Sequence, residues 1–171
     1  MKSTNSASAL EILNRSVGDQ AGFQKVCDAA ASLTREAIKE TSPLLHPFFE
    51  DEGICLICTS SLDSSGRAQR SMRLFLMKRN FRPWHITWIA HFNTEAPEGL
   101  QYSHRCHNGN CINPRHGFWE TDQANKDRNS CRSGSHVILP DDKIILLCPH
   151  EPTCLTPVHI FNWDDKRVLN K

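Results

Sequence analysis

Apolar positions near the N-terminus recur at helical spacing and later change period. Residues 7–16 predict a short helix. Residues 19–40, DQAGFQKVCDAAASLTREAIKE, predict a longer one. Asp19 can cap it, and Phe23, Val26, Cys27, Ala30, Leu33, Ala37 and Ile38 fall on one stripe. Cys27 lies in that stripe and reads as a small buried hydrophobe rather than a ligand. Two prolines in TSPLLHPFFEDEG then break the helix.

From residue 53 the pattern shortens. GICLICTSS and GRAQRSMRLFLMKR read as strands joined by the turn-rich LDSSG. WHITWIAHF reads as another strand, with Trp84, Ile86, Trp88, Ala90 and Phe92 on one face. NTEAPEG is a loop, and within the cysteine–histidine region that follows FWETDQANKDRN reads as a helix. SHVILPDDKIILLC predicts a hairpin or a loose extension, and LTPVHIFNWDDKRVLNK a polar tail with a few large anchors. The expected class is mixed α+β. It divides into an N-terminal helical region (1–52), a core (53–154) and a C-terminal tail (155–171), with no internal repeat or low-complexity segment.

The chain of 171 residues suffices for one domain with a core, and its net charge of +1 gives no global attraction to DNA or to an acidic membrane. The charge is unevenly spread. Arg67, Arg70, Arg73, Lys78, Arg79 and Arg82 have no acid among them. On a strand Arg67, Gln69, Ser71 and Arg73 share one face, while Ala68, Arg70, Met72, Leu74 and Leu76 mostly take the other. Such a face suits phosphates and base edges in a major groove, and it equally suits a solvated surface. No apolar run approaches the roughly 18–20 residues a membrane span needs. MKSTNSASALEILNRS lacks the apolar core of a secretory signal, so an intracellular, reducing setting is expected.

In that setting the cysteines at 27, 55, 58, 106, 111, 131, 148 and 154 favour zinc thiolates over disulfides. Cys106-x4-Cys111-x4-His116 offers three ligands from one loop. Cys55 and Cys58 both compete for the fourth place. Cys58 is the preferred ligand, with Cys55 packed in the core. CPHEPTC supplies Cys148, His150 and Cys154, and Cys131 completes a second set. Two Cys3His sites would staple loops that have little apolar content of their own. His104, His107 and Asn125 remain unspent. A strand, a metal-bound loop and a helix would bring His104 and Asn125 together. A neutral histidine can take a proton from water, and an asparagine carbonyl is a hard ligand for Mg2+. Together they make a minimal set for cutting a phosphodiester.

SHRCHNGNCINPRH, then WE, then NKDRNSC, with CPHEPTC beyond, resembles the His-Cys box homing endonucleases, a branch of the ββα-metal nucleases. The nearest likeness is to the slime-mould nuclear-intron type. It is specific over 103–131 and 148–154, weaker over 55–75 and absent before 50. The resemblance implies a ββα-metal core with antiparallel sheets, N-terminal helices and two structural zincs. It implies a site-specific double-stranded DNA endonuclease with His104 as general base, Asn125 as the sole protein ligand of one Mg2+, and Arg67 near the scissile phosphate. Cys58, Cys106, Cys111 and His116 match one zinc set, and Cys131, Cys148, His150 and Cys154 the other. Gln69, Ser71 and Arg73 fall on the strand that reads the major groove. A homodimer with exchanged tails, a near-palindromic DNA target and a nuclear address follow from the same likeness. Phe161 and Trp163 are the aromatic anchors such a tail would use. Departures are a longer 131–148 segment, a shorter tail, and Asp122 where the family's well-known member has a leucine. A less specific nuclease and an inactive zinc-stapled DNA-binding module are the rivals.

Overall fold

The structure, a computed structural model, describes residues 8–40, 54–129, 136–138, 143–146, 150–154 and 160–162. Helix α1 (Ala9–Val17) opens on a capping box: Ser8 Oγ accepts the Glu11 N–H, and the Glu11 carboxylate accepts the Ser8 N–H. Helix α2 (Gln20–Glu36) opens on Asp19, whose carboxylate accepts the Gly22 N–H at 2.6 Å. It ends at Glu36 rather than at 40, because the next residues find a ladder partner. Strand β1 (Ile38–Glu40) pairs antiparallel with β2 (Cys55–Ile57), Ile38 opposite Ile57.

Strands β3 (Arg70–Leu74) and β4 (Met77–Phe81) form a hairpin closed by Phe75 and Leu76. Both turn residues have positive φ, 47° and 65°, the hand that matches strand twist but is costly for side chains other than glycine. Phe75 tucks toward Gly22, where an added Cβ would come within 2.9 Å of its Cζ. Leu76, expected on the inner face, stands 92% exposed at the tip. Elsewhere the alternation holds: Ser71 and Arg73 face solvent, and Met72 and Leu74 face the core.

Residues Pro83–Phe92 are not a strand but helix α3. The misreading has a physical cause. A helix buried on most sides carries apolar residues all round, so alternate positions mimic a strand. Pro83 at the first helical turn and left-handed Asn93 at the C-cap mark the true element. Pro83, Trp84, Ile86, Thr87 and Ile89 are buried. Ile86 and Ile89 share one core with Ile12 and Leu13 of α1, Val26 and Leu33 of α2, and Leu74 and Phe81 of the hairpin. The N-terminal helices therefore cover the same core that supports the basic ribbon. Cys27 is only half-buried, at the margin of the α2 stripe rather than inside it.

Strand β5 (Gln101–His104) pairs antiparallel with β6 (Gly117–Glu120), His104 opposite Gly117. The loop between them carries a 3-10 turn at Pro114–His116. Helix α4 (Asp122–Asn129) follows, with Thr121 Oγ1 accepting the Ala124 N–H at 3.2 Å. The segment expected to be wholly helical thus gives its first residues to β6, where Phe118 is exposed and Trp119 buried in strand alternation. Gly117 cannot carry a side chain, since a Cβ there would meet the Tyr102 hydroxyl at 1.7 Å. Strands β7 (His136–Ile138), β8 (Lys143–Leu146) and β9 (Ile160–Asn162) make an antiparallel sheet in that order. The expected hairpin is present, and the tail adds its third strand. The architecture is a small α+β one with short antiparallel sheets. Among the described residues no helix is long and apolar enough to cross a membrane.

Candidate functional site

Four buried side chains converge where β2 meets the β5–β6 loop. Cys55, Cys106, Cys111 and His116 offer ligand atoms that all lie within 4.8 Å of one another. His116 Nδ1 is 3.5 Å from the sulfurs of both Cys55 and Cys111. Tetrahedral zinc, with Zn–S about 2.3 Å and Zn–N about 2.0–2.1 Å, sets sulfur and nitrogen about 3.5 Å apart, so the donor set fits that ion. Hydrogen bonds from Cys106 and Cys55 hold Cys111 far below the usual thiol range, and the same contacts push Cys106 up. Thiols crowded in this way are the ones a divalent cation deprotonates on binding.

The fourth corner is Cys55, which corrects the preference for Cys58. The two are three residues apart on extended chain, an odd number, so they face opposite ways. Backbone bonds fix which way. Cys58 N–H donates to Asn110 O at 3.0 Å and Ile112 N–H to Leu56 O at 2.7 Å. This register leaves Cys58 in the main hydrophobic core and turns Cys55 toward Cys106 and Cys111.

Beside the cluster lies a cleft of about 340 Å³ lined by Arg67, His104 and Asn125, among others. The sequence-predicted trio is therefore brought together. His104 Nε2 sits 3.1 Å from the carbonyl oxygen of Cys111. A carbonyl only accepts, so Nε2 carries the proton and Nδ1 keeps its lone pair. One residue thus serves two sites: Cys111 offers its thiol to the metal cluster and its carbonyl to the histidine. Trp84 and Tyr102 flank the imidazole edge-on, each with ring centroids 5.2 Å away. Burial pulls the His104 pKa down to about 4, outweighing the pull of Cys111 in the other direction, so the ring is neutral at pH 7. Asn125 donates Nδ2 to Gln101 Oε1 at 3.2 Å, which assigns its Oδ1 as the side chain's acceptor.

Gln69, Ser71 and Arg73 do not line the cleft. They lead away from Arg67 along the ribbon, with Gln69 half-buried and Ser71 and Arg73 exposed. Across the hairpin Arg73 faces Lys78 and Ser71 faces Asn80. Like charges directly opposite repel, so this face gains from an anionic partner. Of the four residues expected to form a second ligand set, two lie among the described residues. Cys154 Sγ lies 4.0 Å from His150 Nδ1, while Cys131 and Cys148 fall outside the described residues, as does Trp163. The segment is clamped from the core. Buried Arg128 reaches Pro152 O at 2.8 Å and Cys154 Sγ at 3.3 Å, and Arg105 Nε donates to Thr153 O at 2.9 Å. Arg128 is neutralised by Glu120 at 2.9 Å.

Sequence reasoning missed three cleft-side groups. His85, misplaced on a strand, stacks on Trp119 at 5.2 Å and is held neutral by burial, its pKa about 3. Arg82 also lines the cleft, paired with Asp63 across 2.6 Å. Asp63 is the hub of the turn that ends at Arg67, accepting from Ser65 and from the Arg67 N–H at 3.0 Å. The pattern D-x-S-x-R signals an Asx-type turn, but its long-range partner has no local signature.

Residues 63–165, more than half of the chain, match the family model described as the zinc-binding loop region of homing endonuclease. No curated protein matches the chain.

Proposed function

We propose a site-specific DNA-cutting function from one premise: the chain belongs to the homing endonuclease family defined by that zinc-binding loop region. Membership suggests a nuclease and implies a DNA substrate. The observation that carries the finer reading is the bond from His104 Nε2–H to the Cys111 carbonyl, which leaves Nδ1 unprotonated on a residue that lines the cleft with Arg67 and Asn125.

In this reading His104 Nδ1 takes a proton from a water as its oxygen attacks the phosphorus in line with the 3′ oxygen. The new P–O bond forms as the P–O3′ bond breaks, and the departing oxygen takes a proton from solvent, leaving a 5′-phosphate and a 3′-hydroxyl. Arg67 balances the charge that grows on the phosphate oxygens. Asn125 Oδ1 is the hard oxygen that would hold one Mg2+, whose chemistry when bound is to stabilise the charge on the phosphate and the departing oxygen. Burial keeps His104 neutral and therefore able to accept. Its aromatic neighbours keep the ring from turning. The Cys55, Cys106, Cys111 and His116 set has four protein ligands and no open position, so its zinc is structural. By fixing Cys111 it also fixes the acceptor that orients His104.

The proposal extends to the arrangement around the cleft. β5, β6 and α4 act as a ββα-metal unit, and a second zinc joins Cys131 and Cys148 to His150 and Cys154. Residues 67–73 read the major groove of a near-palindromic duplex, with two chains acting together through residues 155–171, in the nucleus. The exposed Arg73–Lys78 and Ser71–Asn80 pairs, with no acid between residues 67 and 82, support the groove reading. Selection of cut sites from a randomised duplex library in Mg2+ tests the function. A defined, near-symmetric consensus supports it, and uniform degradation points to a less specific nuclease.

A further inference from the structure

Arg82 is built into the cleft more firmly than a surface cation needs to be. Its Nη1 pairs with Asp63 Oδ2 at 2.6 Å and also donates to Ala68 O at 3.4 Å. Its guanidinium lies over the Trp84 ring, 5.6 Å from the centroid. Both bonds use Nη1. A guanidinium carries five N–H donors, so the fork keeps donors for a ligand in the cleft it lines. Asp63 does double duty. Its other oxygen accepts the backbone N–H groups of Ser65 and Arg67, so one carboxylate sets both the turn that presents Arg67 and the arm of Arg82. The Ser65 hydroxyl above all, then the Arg67 N–H and Arg82, hold Asp63 well below the usual carboxylate range, and it stays charged throughout the physiological range. Arg67 and Arg82 line the same cleft, and the Ala68 carbonyl that Arg82 reaches is one residue from Arg67.

We propose that Arg82 is a second phosphate-binding group of the cleft, aimed by Asp63 and Trp84, and that it holds a backbone phosphate next to the one addressed by Arg67. The inference rests on the DNA-cutting reading above. A nucleic-acid backbone is the ligand whose chemistry matches two guanidinium groups in one cleft, since it presents phosphates in series. Asp63 is a positioning residue that touches no substrate.

The test uses the full-length, zinc-loaded chain and a 30-base-pair duplex of arbitrary sequence in chelator-free buffer without Mg2+, which keeps the structural zinc in place. Affinity is measured over a series of KCl concentrations. Each phosphate contact contributes about 0.9 to the slope of log K against log salt. Arg82→Met keeps the stem over Trp84 and removes the charge, and it should lower the slope by about 0.9. Arg82→Lys should keep the slope yet slow single-turnover cutting of plasmid in Mg2+ by about tenfold, since the forked contact is lost. Asp63→Asn can still accept the Ser65 and Arg67 N–H groups but loses the ion pair. It should leave the slope near the wild-type value while raising KM more than it lowers kcat. Should Arg82→Met fail to fold, Arg82→Gln carries the same slope test. An unchanged slope in a folded, charge-free variant of a chain that binds and cuts DNA would overturn the inference and leave the nuclease standing. Absence of duplex binding and cutting by the wild-type chain would overturn both.

Discussion

Replacing Cys55 should cost zinc and replacing Cys58 should not, although both are buried cysteines three residues apart. Cys58 is 6% exposed and packed among apolar side chains. Removing its sulfur in Cys58→Ala deletes roughly one methylene-sized group, a loss of about 0.8–1.5 kcal/mol. Cys55 is as buried, at 6%, but its neighbours are Cys106 and Cys111. Structural zinc in small domains contributes about 10–16 kcal/mol, so an even division over four ligands assigns about 2.5–4 kcal/mol to each. At about 2–4 °C per kcal/mol for a chain of this size, Cys58→Ala should lower Tm by about 2–6 °C and Cys55→Ala by about 5–16 °C. Elemental analysis separates the two more sharply than Tm. Cys58→Ala should keep the wild-type zinc content through dialysis against a weak chelator, and Cys55→Ala should lose one equivalent. Retention by Cys55→Ala together with loss by Cys58→Ala would refute the register argument.

Gly117→Ala should unfold or strongly weaken the β5–β6 pair and disorder the His104 cage, because the Tyr102 phenol occupies the space of the new Cβ; near-ultraviolet circular dichroism and thermal melting check this. Glu120→Gln should cost about 3–5 kcal/mol at pH 7, since it leaves the Arg128 charge buried and uncompensated. Burial raises the Glu120 pKa, but the hydrogen bonds and charge of Arg128 outweigh it and leave the carboxyl below its ordinary 4.5. A depressed folded pKa gives stability that is full above the unfolded value and lost as pH falls through the folded one. The wild-type urea midpoint should therefore drop below about pH 4.5 more steeply than that of Glu120→Gln. Arg73→Ala should weaken DNA binding by about 1–3 kcal/mol and relax preference at one or two base pairs, measured by binding to single-base variants of a selected site. Sedimentation of the chain with and without residues 155–171 tests the exchanged tail. A monomer, or a truncated chain that stays fully dimeric, would refute it.

What the sequence disclosed and what it hid follow from the range of the interactions. The caps of α1 and α2 are local; Asp19 was legible as the α2 cap, and the start of α1 was legible to within two residues. So were Cys106, Cys111 and His116, which lie within eleven residues on one loop, and the spacing carries the chemistry. The fourth ligand was not legible. Strand alternation says that Cys55 and Cys58 cannot both face the cluster, but only the long-range register with Asn110 and Ile112 chooses between them. Helix α3 was hidden for another reason. Its burial on most sides erased the polar face that marks a helix, and reading it as a strand also hid His85. Asp63 and Arg82 are nineteen positions apart and meet only because the ribbon folds back onto the start of α3.

The central claim is that His104, with Nε2 tied to the Cys111 carbonyl, is the base of a DNA-cutting cleft. Its most direct test is single-turnover cleavage of a selected duplex in Mg2+ by wild type and His104→Ala, with duplex affinity measured alongside in chelator-free buffer without Mg2+. The account predicts a rate loss of about 10²–10⁴-fold near neutral pH with affinity within a few-fold of wild type. Cutting by His104→Ala at the wild-type rate would contradict it.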